Sequence, residues 1–290
     1  MTGAGGDGSM NRPGRGPDDA AAHQRFHLLI LGGTGEAAAL AGAVLAGRAG
    51  RVAVTTSLAG RTERPGAVPG DVRIGGFGGA DGLAEYLRRE GVDAVIDATH
   101  PFAAQISAHA RLACEAAGGV PRLQLYRPAW TRHPLDRWIE VDSLAAAAAI
   151  VGKVGRRAWL TIGAGEVDAF AAVEDVRFLV RLIDAPRRTL PLKFHEVVIG
   201  RGPFTLAEER HLLHRHAIEV LVCKASGGDA TAAKLVAARE ASLPVIMVRR
   251  PPPEPGDTVE AVDAALRWLD ARLTEFGGSA FIEPGGPAPS

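Results

Sequence analysis

The sequence predicts an α/β fold: two Rossmann-like domains with mainly parallel sheets and a cleft between them. Three observations carry this. Short apolar, β-rich runs alternate with alanine-rich stretches of helical length over most of the 290 residues. Several of these runs end directly in glycine-rich turns. The alternation breaks once, at Arg127-Pro-Ala-Trp130, and then starts again. Strand–helix alternation builds parallel strands joined by crossover helices, with helices on both faces of each sheet.

In the first half the expected strands are residues 28–31, 52–56, 72–74, 94–97 and 122–126, with helices near 36–47, 79–90 and 102–118. In the second they are 158–162, 176–182, 196–199, 220–223 and 245–248, with helices at 143–151, 166–172, 205–214, 230–240 and 259–274. This divides the chain into a dinucleotide-binding domain over 26–127 and a second domain over 128–276, with a hinge at 127–130. Residues 1–25 are rich in Gly, Asp and Pro and lack the apolar core of a secretory signal, so they read as a disordered extension, as do 277–290.

Hydrophobic residues make up 47% of the chain and aromatics only 5%, which favours close helix–sheet packing around small side chains. Lys+Arg and Asp+Glu balance at 33 each, which argues against nucleic acid or an anionic membrane as partner while leaving room for a local basic cleft. Cys114 and Cys223 have neither metal-site nor C-x-x-C spacing; they read as buried thiols in a reducing cytoplasm. No run of about 18 apolar residues exists to span a membrane.

Residues 28–36, Leu-Leu-Ile-Leu-Gly-Gly-Thr-Gly-Glu, carry the strand–turn–helix order of a phosphate cradle. Gly32, Gly33 and Gly35 let the backbone turn tightly and approach a pyrophosphate, and the N-terminus of the next helix faces the anion. Thr34 and Glu36 complete the turn. About twenty residues on, where an acid would bind the ribose hydroxyls of NAD, Ser57 and Arg61 stand instead. A hydroxyl and an arginine suit a 2′-phosphate, so the expected cofactor is NADPH.

Other strand ends add candidates. Thr99, His100 and Pro101 follow the strand at 94–97, with Thr99 expected to cap the helix and Pro101 to start it. His100 projects at the lip for cofactor or substrate contact, or serves the helix start. Asp97 reads as a turn-fixing hydrogen-bond partner. Gly75-Gly-Phe-Gly-Gly79 passes close either to a neighbouring loop or to the cofactor. In the second half Lys224, Ser226, Gly227 and Gly228 repeat the cradle logic with a cation added, marking a second phosphate or carboxylate site. His211, His214 and His216 do not share one helical face and no metal is expected. Tyr86 and Tyr126 are followed four residues on by Glu90 and Trp130, not by lysine, which excludes an active short-chain dehydrogenase of the Tyr-Lys type.

Leu31-Gly-Gly-Thr-Gly-Glu36, Thr55-Thr-Ser-Leu-Ala-Gly-Arg61, Gly75-Gly-Phe-Gly-Gly79, Asp97-Ala-Thr-His-Pro-Phe102, Arg127-Pro-Ala-Trp130, Arg201-Gly-Pro-Phe204 and Lys224-Ala-Ser-Gly-Gly228 follow one another in the order seen in the precorrin-6A reductase family, which the chain resembles from about Leu28 to Arg250. Ala225 stands where that family usually carries a polar residue, and Ala241-Ser242 where it carries Leu-Gly. The resemblance implies an NADPH-dependent reductase that passes hydride to a carbon–carbon double bond of the corrin precursor, precorrin-6A or its cobalt form, giving precorrin-6B on the route to cobalamin. Such a polycarboxylate tetrapyrrole needs cations, for which Arg127, Arg201 and Lys193 are the candidates, with Arg132 and Arg181 behind them. As catalytic group His100 is named, with solvent an equal alternative as proton donor. A non-catalytic NADP or tetrapyrrole sensor, or an NADP reductase of another unsaturated substrate, would carry the same motifs.

Overall fold

The computed structural model describes residues 25–60 and 66–279; Arg61 and the outer parts of both expected extensions lie outside them. In chain order the first half supplies β1 (Phe26–Leu31), α1 (Gly35–Arg48), β2 (Val52–Leu58), β3 (Asp71–Ile74), α2 (Ala80–Glu90), β4 (Ala94–Asp97), α3 (Ala104–Ala116) and β5 (Arg122–Leu125). Then follow β6 (Arg137–Val141), α4 (Leu144–Val154), β7 (Arg157–Leu160), β8 (Arg177–Leu182), β9 (His195–Ile199), α5 (Leu206–Arg215), β10 (Val220–Lys224), α6 (Ala233–Glu240), β11 (Pro244–Val248), β12 (Asp257–Val259) and α7 (Val262–Ser279).

The strands form two six-stranded sheets, ordered β12-β5-β4-β1-β2-β3 and β6-β11-β10-β7-β8-β9, with parallel neighbours throughout. In each, the order reverses beside the central strand, between β1 and β4 or between β7 and β10. Ligands of open parallel sheets bind outside the carboxyl ends at that switch point.

The sheets exchange edge strands. β6 follows β5 in sequence but pairs with β11, while β12 follows β11 but pairs with β5, from Asp257↔Leu123 to Val259↔Leu125. The division expected at 128–276 is therefore corrected: β12 and α7 belong to the first lobe. The cause is burial, since Ala265, Leu269 and Leu273 of α7 join Leu40 and Val44 of α1 in one apolar cluster, and Phe276 meets Phe26 edge-on at 5.3 Å. α7 continues to Ser279, past the start of the expected tail.

β1 explains why the central strands are apolar throughout. Leu28 and Ile30 face the α1–α7 cluster, while Leu29 and Leu31 face Leu83, Leu87, Ala110 and Ala113 on α2 and α3. A strand covered on both faces has no polar side to show. β7 is covered in the same way, with Leu160 among Val151, Phe170 and Ile246, and Trp159 among Leu213, Leu235 and Met247. The helix expected at 166–172 is a 3₁₀ segment, Ala164–Phe170, started by Glu166 accepting from the Gly163 N–H at 2.8 Å. Phe102, from the first lobe, packs on the second lobe's cluster and joins the two.

Candidate active site between the two sheets

The turn after β1 is built as its residues dictate. A Cβ on Gly32 would lie 2.7 Å from the Thr56 methyl, so only glycine lets this turn lie against β2. Gly33 has φ +107°, a left-handed conformation that favours glycine. Thr34 caps α1, its hydroxyl accepting from Ala37 N at 3.1 Å and donating to Ala98 O at 2.7 Å, which ties the turn to the end of β4. In front of the turn, a Cβ on Gly33 or Gly35 meets nothing within 4 Å. Open glycines ahead of a helix N-terminus fit the pyrophosphate of a dinucleotide.

Glu36 turns aside from this opening. Its carboxylate receives Arg127 Nη1 at 2.9 and 3.1 Å, and Arg127 Nε donates to Ser226 O at 2.8 Å. Arg127, expected on the substrate, thus bridges the cradle of the first lobe to the glycine turn of the second. The two turns face one another across a cleft of about 350 Å³, with Gly35, Glu36 and Arg127 on one side and Gly227 and Gly228 on the other. Gly227 (φ +68°) lies so close to the linker that a Cβ would sit 2.0 Å from Pro128 O. The Trp130 indole N–H donates to Gly228 O at 2.8 Å.

At the end of β2, Ser57 is buried and lies in register with Arg73 of β3. Arg73 was not singled out by the sequence. Its Nη1 is 3.4 Å from Ser57 Oγ, its two Nη atoms donate to Gly75 O and Gly76 O at 2.6 and 2.7 Å, and its guanidinium lies 3.8 Å from the Phe77 ring centroid. Part of the glycine run at 75–79 therefore serves to hold an arginine beside Ser57.

The loop after β4 departs from expectation. Thr99 does not cap α3: Asp97 Oδ1 takes both its amide (3.1 Å) and its hydroxyl (2.7 Å), and α3 starts only at Ala104. Asp97 Oδ2, next to the switch point, is buried with no hydrogen-bond partner among the described residues. After Pro101, the Phe102 N–H donates to His100 Nδ1 at 3.2 Å. Burial first, and then Lys224, Arg127 and Lys234, push the His100 pKa down to about 3. The imidazole is neutral at physiological pH, with Nδ1 accepting and Nε2 left as an N–H donor; it is not an imidazolium acid.

Other expected cations are engaged. Lys224 holds Glu166 at 2.7 and 2.8 Å and lies 4.9 Å from the Phe102 ring, so it is half of an ion pair rather than a free cation. Arg181 is buried with Glu209 at 2.8 Å and stacks over Phe204 at 3.8 Å, a structural role. Arg132 donates to Asp136 O at 3.3 Å. Lys193 pairs with Glu174 at 3.4 Å at the amino end of β9, the edge of the sheet opposite to the switch point, which removes it from the site. Arg201 lies exposed just past the carboxyl end of β9. Burial raises the thiols of Cys114 and Cys223 to about 12 and about 11, so both are inert.

Two open parallel sheets with glycine turns facing each other over a shared cleft define a two-lobed α/β oxidoreductase of the dinucleotide-binding type. The chain belongs to the precorrin-6x reductase CbiJ/CobK family, whose model matches residues 27–270. It is 50% identical over 243 residues to the precorrin-6A reductase of Rhodococcus erythropolis (83% of this chain, 96% of the relative). It is 46% identical over 242 residues to that of Rhodobacter capsulatus (83% and 95%). The solved structure of a CobK precorrin-6A reductase superposes with a TM-score of 0.79 at 43% identity, covering 85% of this chain and 97% of that one. Among the described residues no helix is long and apolar enough to cross a membrane.

Proposed function

We propose that this chain reduces a ring carbon–carbon double bond of precorrin-6A, or of its cobalt form, with NADPH, giving precorrin-6B in the cytoplasm as a step toward cobalamin. The observation that carries this reading is the facing of the two glycine turns across a cleft bridged by Arg127. The reduced nicotinamide supplies the hydride to one carbon, and solvent supplies the proton to the other. Gly33, Thr34 and Gly35 hold the pyrophosphate at the N-terminus of α1, and Glu36 acts by orienting Arg127 rather than by touching phosphate. Ser57, Arg73 and Arg61 take the 2′-phosphate. His100 offers Nε2–H as a hydrogen-bond donor, with Thr99 and Pro101 fixing its loop. Lys224, Ser226, Gly227 and Gly228 close the cleft from the second lobe, and Arg201, just past the carboxyl end of β9, meets a substrate carboxylate.

Mixing the purified protein with NADPH and precorrin-6A should deplete the nicotinamide absorbance, far faster than with NADH. Binding of both without oxidation would assign a sensor instead. Arg73→Gln should lower the NADPH-over-NADH ratio of kcat/KM by at least about tenfold, the scale of one lost charge-assisted hydrogen bond. An unchanged ratio removes Arg73 from the 2′-phosphate site.

A further inference from the structure

The segment that joins the lobes does more than span them. Residues 127–130 grip the glycine turn of the second lobe at three successive points. Arg127 Nε donates to Ser226 O at 2.8 Å, and the Trp130 indole N–H donates to Gly228 O at 2.8 Å. Between them, Gly227 lies so close to the Pro128 carbonyl that no side chain fits there. At its other end Arg127 is tied to Glu36 of the first lobe.

Trp130 has a fixed seat. It packs on the apolar cluster that holds Leu221, Leu235 and Met247, and Lys234 Nζ lies 5.2 Å from the centre of its ring. Two other tryptophans of this lobe, Trp138 and Trp159, bury their indole N–H with no acceptor among the described residues. Packing in this lobe therefore does not demand an acceptor for the indole. The bond from Trp130 is spent on a turn that lines the cleft.

A trans peptide points its C=O and N–H in opposite directions. With the carbonyls of Ser226 and Gly228 turned to the linker, the N–H groups of Gly227 and Asp229 are turned away from it. Among the described residues the N–H groups of Gly227, Gly228 and Asp229 find no acceptor. All three residues line the cleft. Gly227 and Gly228 are both left-handed, at φ +68° and +81°, and successive amides in such a turn form a concavity that takes an oxygen ligand. Unpaired amides of this kind are completed by water or by a ligand.

We propose that Trp130 is a positioning residue of the reductase site: by holding Gly228 O it aims the amides of residues 227–229 at the cleft, where they receive a phosphate or carboxylate oxygen of the bound ligand. Trp130 touches no ligand and acts only through the turn. The proposal rests on the reading of this cleft as the reductase site.

The test uses the full chain and two probes, NADP⁺ and uroporphyrin, a polycarboxylate tetrapyrrole. In the wild type, one of the two should slow hydrogen exchange at the amides of 227–229, read by mass spectrometry, which identifies the source of the oxygen. Trp130→Phe keeps a ring in the seat and removes the N–H. It should weaken that probe by about three- to tenfold, the scale of one neutral hydrogen bond, and leave the other within about twofold. In turnover it should raise KM for the matching reactant with kcat little changed. Should the Phe variant lose its fold, the exchange measurement on the wild type still decides. The proposal is overturned if a probe binds and neither slows exchange at 227–229, or if Trp130→Phe leaves both affinities unchanged or weakens both equally. The reductase reading then stands provided that the wild type oxidises NADPH with precorrin-6A. A wild type that binds neither probe overturns both.

Discussion

Arg127 and Glu36 meet across the boundary between the lobes, one guanidinium nitrogen at 2.9 and 3.1 Å from the two carboxylate oxygens. The same guanidinium donates to Ser226 O, so a single side chain holds both glycine turns in place. Arg127→Ala should cost about 1–2 kcal/mol in denaturant unfolding, since it removes charge-assisted bonds and leaves Glu36 without its partner. It should also raise KM for NADPH, because the cradle loses its link to the opposite lobe. A variant with wild-type stability and KM would show that the bridge is incidental.

The glycines of the two turns separate space from strain. Gly35 opens α1, and a Cβ there touches nothing. Gly35→Ala should leave unfolding unchanged or stabilise by up to ~0.5 kcal/mol, while raising Kd for NADPH by filling the cradle. Gly227→Ala meets Pro128 O in a left-handed turn and should destabilise by about 2 kcal/mol or more. Paired urea and nucleotide titrations check this; equal effects on stability at the two sites would contradict it.

His100 makes a prediction in pH. Its folded pKa, about 3, lies below its ordinary value of 6.5, so the folded state binds fewer protons than the unfolded state. The associated stability is fully present above pH 6.5 and is lost as pH falls from there toward 3; at pH 5 the loss should be about 2 kcal/mol. His100→Asn should therefore flatten the fall in stability between pH 7 and pH 5. In the wild type, kcat/KM should show no inflection from this imidazole between pH 5 and 8.

What the sequence made legible was whatever local chemistry decides. β1 is apolar because both faces are covered, and the Gly-Gly-Thr-Gly spacing announces the strand–turn–helix that Thr34 caps. β6 and β12 escaped notice because edge strands mix exposed and half-buried positions, and β12 has only three residues. Arg73 escaped because its relation to Ser57 comes from strand pairing across 16 positions, not from spacing along one loop. Lys224 promised a free cation until folding brought Glu166 from 58 positions away, and nothing in the chain marks Lys193 as standing at the far edge of its sheet.

The exchange of β6 and β12 makes the two lobes mutually dependent during biogenesis. As the chain is made, the β5 margin of the first sheet stays bare until the whole second lobe has been synthesised and β12 follows. An unpaired parallel margin invites association with other chains. Fragments cut at the linker should thus be prone to clump, and a gene split there should yield activity only when both products are present together from the start.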